Sequence, residues 1–148
     1  MIRRPFLPVV FACAMAALAS CGGGGTPEAR IVETMDRMEE AAEAAERGAF
    51  MAHVHDDFRG QGGALTREDF RGWLLLQLNR HQRMRAQRFP AEVRLLNAEE
   101  AVAEFNVLVT GGRGLLPEEG RLLAVSTVWR RDGDDWLLLE ADWTPVGQ

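Results

Sequence analysis

The segment from His53 to Asp57 places two histidines and two aspartates within five residues. Imidazole and carboxylate groups bind metal ions and transfer protons. On a β-strand, His53 and His55 would share one face, and a carboxylate could complete a metal site. On an α-helix, the two imidazoles would point about 200° apart and could not chelate one ion. We expect a short helix over residues 49–55, so we predict neither a metal ion nor a cofactor.

Two residues are candidates for a general base. Asp57 lies just after the predicted helix. His81 lies on the apolar side of a later predicted helix. An imidazole can transfer protons near neutral pH. The alternative for His81 is a partly buried histidine that only packs and forms hydrogen bonds.

Four polar residues interrupt predicted strands that are otherwise apolar: Glu104, Asn106, Glu140 and Asp142. If their side chains converge in a cavity, they would be the few polar groups that orient a ligand. If they lie at a sheet edge, they would hinder edge-to-edge aggregation. The sequence leaves both interpretations open, and the four are candidate ligand-binding residues.

Both cysteines of the chain lie in its first 21 residues. Arg3 and Arg4 precede an apolar run that ends at Leu18, a pattern typical of an export signal. The following Leu18-Ala19-Ser20-Cys21 resembles the lipobox of bacterial lipoproteins. That resemblance implies cleavage before Cys21, acylation of Cys21 and anchoring of the protein in a membrane. Gly22 in place of an aspartate at the next position implies the outer membrane, with the protein facing the periplasm.

The export route has two interpretations. The segment Arg3-Arg4-Pro5-Phe6-Leu7 resembles part of a twin-arginine signal, but Ile2 precedes the pair and the basic start is short. We therefore favour the general secretory route. On either route the mature protein would keep no free thiol, because Cys13 is removed and Cys21 carries lipid. This excludes cysteine nucleophiles and thiolate metal sites.

Charge and tether length limit the possible partners. Gly22 to Gly25 would form a tether that spans at most about 14 Å, which keeps the folded part close to the membrane. The chain carries 22 acidic against 17 basic residues, a formal net charge of −5. This balance argues against a nucleic-acid partner, because proteins that bind nucleic acids neutralise phosphates with a basic surface.

Apolar residues at helical spacing predict three helices before Pro90. The first begins after Thr26 and ends at Gly48, the second covers residues 49–55, and the third begins at a capping box formed by Thr66 and Asp69. The basic run at residues 80–88 would end the third helix. There it could stabilise the helix C-terminus or contact anionic lipid headgroups.

Alternating residues predict four strands after Pro90, at residues 92–96, 101–110, 122–130 and 135–143. Asp132 and Gly133 between the last two predict a tight hairpin with Trp129 opposite Trp136. Both faces of this hairpin are largely apolar, so both should be covered. The helices can cover only one face well, and a second copy of the chain could cover part of the other.

Three segments resemble parts of the nuclear transport factor 2-like superfamily, which includes SnoaL-like polyketide cyclases and ketosteroid isomerases. They are DDF at residues 56–58, LTREDFRGWL at 65–74 and DDWLLLEADW at 134–143. The resemblance implies an α+β fold in which N-terminal helices pack on a curved antiparallel sheet and form a cone. The mouth of such a cone can hold a small apolar molecule. The isomerases use an Asp base with a Tyr donor, and this sequence contains no Tyr.

The predicted organisation is a signal peptide at residues 1–20, a lipidated cysteine and glycine tether at 21–26, a folded domain at 27–144 and a tail at 145–148. Three functions remain open. The first is a non-enzymatic envelope lipoprotein that binds a small apolar ligand or a protein partner. The second is an isomerase- or cyclase-type enzyme with Asp57 or His81 as the base. The third is a structural module that forms a homodimer through its sheet.

Overall fold

The computed structural model describes residues 24–80, 85–111 and 119–147. Cys21 and His81 lie outside the described residues, and the predictions made for them stay predictions. The described helices are α1 (Pro27–Glu43), α2 (Arg47–Met51) and α3 (Arg67–Arg80). The described strands are β1 (Val54–Gly60), β2 (Leu65–Thr66), β3 (Arg85–Arg88), β4 (Glu92–Leu95), β5 (Glu100–Gly111), β6 (Glu119–Asp132) and β7 (Asp135–Pro145).

Helix α1 begins where the sequence predicts. The amide of Ala29 donates a hydrogen bond of 3.2 Å to the hydroxyl of Thr26, which satisfies one of the free amides of the first turn. The helix buries one stripe of side chains at helical spacing, which includes Ile31, Met35 and Met38. Among the helices that the structure describes, none is long and apolar enough to cross a membrane.

The predicted end of this helix at Gly48 is wrong, because α1 already ends at Glu43. Ala45 adopts a left-handed conformation with a φ of 56°. The amide of Glu46 donates to the carbonyl of Ala41 at 2.8 Å, and the amide of Ala45 donates to the carbonyl of Ala42 at 3.1 Å. These two bonds form a Schellman motif, which closes the helix without a glycine.

The predicted second helix over residues 49–55 is also wrong in its second half. Helix α2 ends at Met51, and the chain enters strand β1 at Val54. The amide of Leu138 donates to the carbonyl of His53 at 2.9 Å, and Val54 lies opposite Leu138. Pairing with β7 therefore draws this segment into the sheet, against its local helical pattern.

The strands form one curved sheet in the order β2-β1-β7-β6-β5-β3, and β4 pairs with β5 as well. Strand β1 runs parallel to β7, while the other described pairs are antiparallel. The predicted α+β fold with helices packed on a curved sheet is confirmed, and the sheet is mixed. The basic run is divided, because Arg80 ends α3 whereas Arg85 and Arg88 belong to β3.

The hairpin between β6 and β7 forms, but its predicted register is wrong. Asp132 lies opposite Asp135, so the turn is Gly133-Asp134. Gly133 has a φ of 61°, at the position that a type II′ turn assigns to glycine. A β-bulge between Val128 and Trp129 then shifts the pairing again. The position of the turn therefore pairs Trp129 with Leu138 and not with Trp136, while the bulge places Val128 opposite Glu140.

The core lies between the helices and one face of the sheet. Its largest fully buried side chains are Trp129, Phe58 and Ile31. The ring of Phe70 on α3 lies 4.8 Å from that of Phe58 and 6.4 Å from that of Trp143, measured between centroids. These contacts fix α3 across β1 and β7, since offset and tilted aromatic pairs add to the free energy of apolar burial.

Candidate functional site

The two faces of the sheet differ in burial. On β5 and β6, Ala103, Thr127 and Trp129 are buried, while Val102 and Val128, which pair with each other, are only half-buried. Side chains alternate between the two faces along a strand. The helices therefore cover the face that carries Trp129, which we call the covered face, and leave the face that carries Val128, which we call the open face.

The covered face is filled by side chains. Trp129 is 1% exposed, and its indole N–H donates to the hydroxyl of Thr127 at 2.9 Å. That hydroxyl donates in turn to the carbonyl of Ala103 at 3.0 Å. Among the described residues, every buried side-chain nitrogen or oxygen has a hydrogen-bond partner. The described interior is therefore packed with side chains, and its buried side-chain polar atoms all form hydrogen bonds.

The open face carries a trough with a volume of about 460 Å³. Glu104, Ser126 and Asp142 lie opposite one another on β5, β6 and β7 and line it. Asn106 lines the trough in the next row, and Phe89, with 42% of its surface exposed, borders it. Carboxylates, an amide and an aromatic ring thus lie side by side on an exposed surface.

No protein-family model matches this sequence, and no curated protein matches it. Solved structures do resemble it. An NTF2-like protein of unknown function from Pseudomonas putida has a TM-score of 0.68 at 15% identity, over 79% of this chain and 84% of that one. A protein from Streptomyces avermitilis, proposed to be a dehydratase of the NTF2-like family, has a TM-score of 0.69 at 13% identity, over 81% and 97%. A protein from Xanthomonas campestris, proposed to be a calcium/calmodulin-dependent protein kinase II association domain, has a TM-score of 0.67 at 16% identity, over 88% and 94%.

This chain has the nuclear transport factor 2-like (NTF2-like) fold. The element order of helices followed by a curved, unclosed sheet agrees with that assignment. At these identities the likeness shows the fold alone, and function has to be argued from the site.

The trough brings together three of the four predicted ligand-binding residues of the NTF2-like domain, namely Glu104, Asn106 and Asp142. Glu140 lies in the adjoining row, opposite Val128, and does not line the trough. All four are exposed on the open face. The carboxylate of Asp142 also accepts a hydrogen bond of 2.7 Å from the amide of Gly62 and so holds the turn after β1. Ligand binding by these residues stays a prediction.

Asp57, the candidate base, lies exposed on β1 of the NTF2-like domain and apart from the trough. Its amide donates to Nδ1 of His55 at 3.0 Å. In the parts of the chain that the structure describes, no three His, Cys, Asp or Glu side chains are grouped closely enough to hold a metal ion. Burial, followed by the charge of Arg37, lowers the pKa of His53.

An ion pair on the open face joins Glu100 and Arg130. The guanidinium donates to the carboxylate at 2.8 Å. This hydrogen bond lowers the pKa of Glu100 and raises the pKa of Arg130. The pair links β5 to β6 at the end of the open face that lies near the β6–β7 turn.

A second concavity lies between α2 and α3, away from the sheet. Its volume is about 350 Å³, and it is lined by Arg47, Gly48, Met51, Ala52, Arg67 and Arg71. None of these arginines was predicted as a site residue from the sequence. Arg67 and Arg71 are four residues apart on one helix, and this spacing could have indicated that they share a helix face.

Proposed function

We propose that this chain is a membrane-tethered association module, held at the membrane by lipid on Cys21 and paired with a second copy through the open face of its sheet. One observation carries the proposal. The helices fill the covered face, whereas the open face presents half-buried apolar side chains to solvent. A surface of this kind favours a protein interface.

The apolar part of the open face forms two cross-strand pairs on either side of the trough. Val102 pairs with Val128, and Leu108 pairs with Leu122. All four side chains are half-buried. Covering them would remove apolar surface from water, which stabilises a complex by about 25 cal/mol per Å². Leu137 on β7 pairs with Arg130, and it adds apolar surface beside the pair of Val102 and Val128.

The charges of the open face suit contact between two copies. Glu104, Glu140 and Asp142 lie on the central strands, while Arg94 on β4 and Arg59 on β1 lie nearer the margins. In a twofold dimer, the same surface patch of both copies is in contact, and the two patches are related by a rotation of 180°. Acidic groups at the centre of one copy can then meet arginines at the margin of the other, which favours one register over its alternatives.

The similar Xanthomonas structure, proposed to be an association domain, supports this assignment over the enzyme hypothesis. The proposed dehydratase supports the alternative. In the described interior, the two buried polar residues are Thr34 and Thr127, and both hydroxyls are occupied in hydrogen bonds. The geometry therefore favours association, and proton transfer by Asp57 or His81 stays a prediction.

The oligomeric state tests the proposed pairing. The chain from residue 21 onward, carrying Cys21→Ser, retains every residue of the described core. We expect light scattering to give a dimer for this protein and a monomer for Val128→Arg. Glu140 lies opposite Val128 and can pair with the new guanidinium, so the variant should fold. Leu75→Arg on α3, where Leu75 is 38% exposed, is the control that should remain dimeric. A wild-type monomer at every concentration would contradict the proposal.

Lipidation is tested separately in cells. The proposal places the mature protein at the outer membrane, facing the periplasm, with Gly22 to Gly25 as the tether. Cys21→Ser should abolish acyl labelling and leave unprocessed precursor. Membrane association that survived this change would show that another feature holds the protein there.

The small apolar ligand predicted for the cone can be sought in the same samples. Native mass spectrometry would show retained mass beyond that of one or two protein chains. Such mass, lost together with the dimer in Val128→Arg, would place a ligand at the interface between copies.

A further inference from the structure

We infer that the cleft between α2 and α3 binds a phosphate group, either as a free phosphate or as the headgroup of an anionic lipid. The inference is independent of the pairing proposed above, because the cleft lies on the helices and the open face lies on the sheet. Its volume of about 350 Å³ is within the range of small-ligand sites. Three arginines line it, namely Arg47, Arg67 and Arg71.

Arg67 is already held in position. Its Nη2 donates to the carbonyl of Met51 at 3.2 Å, and its Nε contacts the carbonyl of Val54 at 3.4 Å. Only 30% of its side chain is exposed. A guanidinium fixed in this way loses little conformational freedom when it binds an anion, and its planar donors match phosphate oxygens.

The arginines of the cleft have more distant carboxylate partners than Arg88 has. Arg88 contacts both Asp36 and Glu39 directly, whereas the nearest carboxylates to Arg67 and Arg71 are each 3.8 Å away. These are Asp56 and Glu68, which are 96% and 80% exposed. Among the described residues, Arg47 has no carboxylate within ion-pair distance.

In a chain of net charge −5, the three arginines of the cleft outnumber Asp56 and Glu68, the two carboxylates at ion-pair distance from them. Arg67 and Arg71 lie one turn apart on α3, and like charges at this spacing disfavour the helix. An anion between the arginines would relieve that repulsion. At this end of α3, the amide of Asp69 donates to the hydroxyl of Thr66, and the carboxylate of Asp69 accepts from the amide and hydroxyl of Thr66.

The cleft is also open on its α2 side. A Cβ atom placed on Gly48 would meet no other atom within 4 Å. An anion can therefore approach Arg47 from the side of Gly48 without displacing a side chain. Met51 and Ala52 form the apolar part of the wall, which lowers the local dielectric and strengthens the contact with a guanidinium.

Titration with inorganic phosphate tests the site. The chain from residue 21 onward with Cys21→Ser is titrated while the NMR amide signals of Gly48 and Ala52 are followed. We expect saturable shifts of both signals. Arg47→Gln should weaken binding about tenfold, as the loss of one charge-assisted hydrogen bond implies. Arg67 donates to two backbone carbonyls, whereas Arg47 makes no such bond within the described part of the chain, so we expect this variant to keep the fold, which its amide spectrum would verify.

Two further variants separate local from general charge effects. Arg121→Gln on β6 makes the same charge change at an exposed position outside the cleft and should bind phosphate as the wild type does. Gly48→Glu places a carboxylate at the cleft without a steric clash and should abolish binding. Equal effects of Arg47→Gln and Arg121→Gln would overturn the inference.

Sedimentation with vesicles distinguishes the two sources of phosphate. Binding to phosphatidylglycerol vesicles that Arg47→Gln removes, without an amide shift in inorganic phosphate, would assign the site to a lipid headgroup. A saturable shift in inorganic phosphate without vesicle binding would assign it to a soluble phosphate. Absence of any Arg47-dependent binding in both experiments would refute the site.

Discussion

At the residue scale, the centre of the core depends on the hydroxyl of Thr127. It donates to the carbonyl of Ala103 and accepts from the indole of Trp129. Thr127 is 4% exposed and Trp129 is 1% exposed, so water cannot replace either partner. A buried donor left without a partner costs more than a hydrogen bond contributes on average.

Thr127→Val keeps the shape of the side chain and removes the hydroxyl. We expect the free energy of unfolding to fall by about 1 to 3 kcal/mol, because the indole N–H of Trp129 stays buried without an acceptor. Urea denaturation measures this change. Thr127→Ser, which keeps the hydroxyl, should lose about 1 kcal/mol for the missing methyl group. A valine variant as stable as the wild type would show that the hydroxyl has no such role.

His53 should make stability depend on pH. Burial, and then the charge of Arg37, lowers its pKa in the folded chain. The folded state therefore binds the proton less readily than the unfolded state does. The contribution of His53 to the free energy of unfolding is present above the unfolded imidazole pKa of about 6.5 and is lost as pH falls below that value.

The comparison of wild type with His53→Gln checks this sign. We expect wild type to lose more stability than the variant between pH 7.5 and pH 5.5, two buffer conditions chosen on either side of about 6.5. Midpoints of urea denaturation at the two pH values give the difference. Parallel pH profiles for the two proteins would show that His53 has the same proton affinity in both states.

The sequence identified the polar residues of the trough but not the face on which they lie. Strict alternation along β7 puts Trp136, Leu138, Glu140 and Asp142 on one face. The β-bulge opposite Val128 breaks this alternation. Glu140 and Asp142 consequently lie on the open face, while Trp136 and Leu138 are buried on the covered face. A bulge depends on strand pairing, so local sequence does not reveal it.

At the element scale, the turn between α1 and α2 stores strain in one residue. Ala45 has a φ of 56°, in the left-handed region that glycine adopts at little cost. Its amide and that of Glu46 close the helix. Because glycine is the usual residue at such a position, the pattern predicted the helix end at Gly48.

Ala45→Gly should stabilise the fold by about 0.5 to 1 kcal/mol, since relief of the left-handed strain exceeds the added freedom of the unfolded chain. Thermal and urea denaturation measure the gain. Ala44→Gly is the matched control, because Ala44 has a right-handed φ of −77°. It should be destabilised by about 0.5 to 1 kcal/mol. Destabilisation of both variants alike would contradict a strained Ala45.

Strands β1 and β3, before Pro90, were harder to predict than the strands after it. Strands β5, β6 and β7 are long and alternate clearly, and each lies within a few residues of its predicted range. Strands β1 and β3 are rich in polar residues, and they form by pairing with β7 and β5. Their conformation depends on distant partners, so the periodicity of VHDDFRG or RAQR does not indicate a strand.

At the scale of the whole molecule, the helices before Pro90 and the four strands after it were predictable from helical and alternating patterns, whereas β1, β2 and β3 before Pro90 were not. The position of the two concavities was not predictable either. The trough depends on the register of three strands, and the arginine cleft depends on how α2 meets α3. Both arise from contacts between residues far apart in the sequence. They also lie on different elements, so phosphate binding and pairing should respond to different substitutions.

Pairing through the open face should couple stability to protein concentration. A chain that folds as a dimer gains stability by mass action when its concentration rises. For two chains of this length we expect Tm to increase by about 3 °C for each tenfold rise in concentration. Differential scanning calorimetry on a dilution series measures the slope. Val128→Arg should show a Tm independent of concentration, whereas Leu75→Arg should follow the wild type. Because unfolding from a dimer to two chains must produce such a slope, a flat series for the wild type would exclude the dimer even if a single light-scattering measurement suggested one.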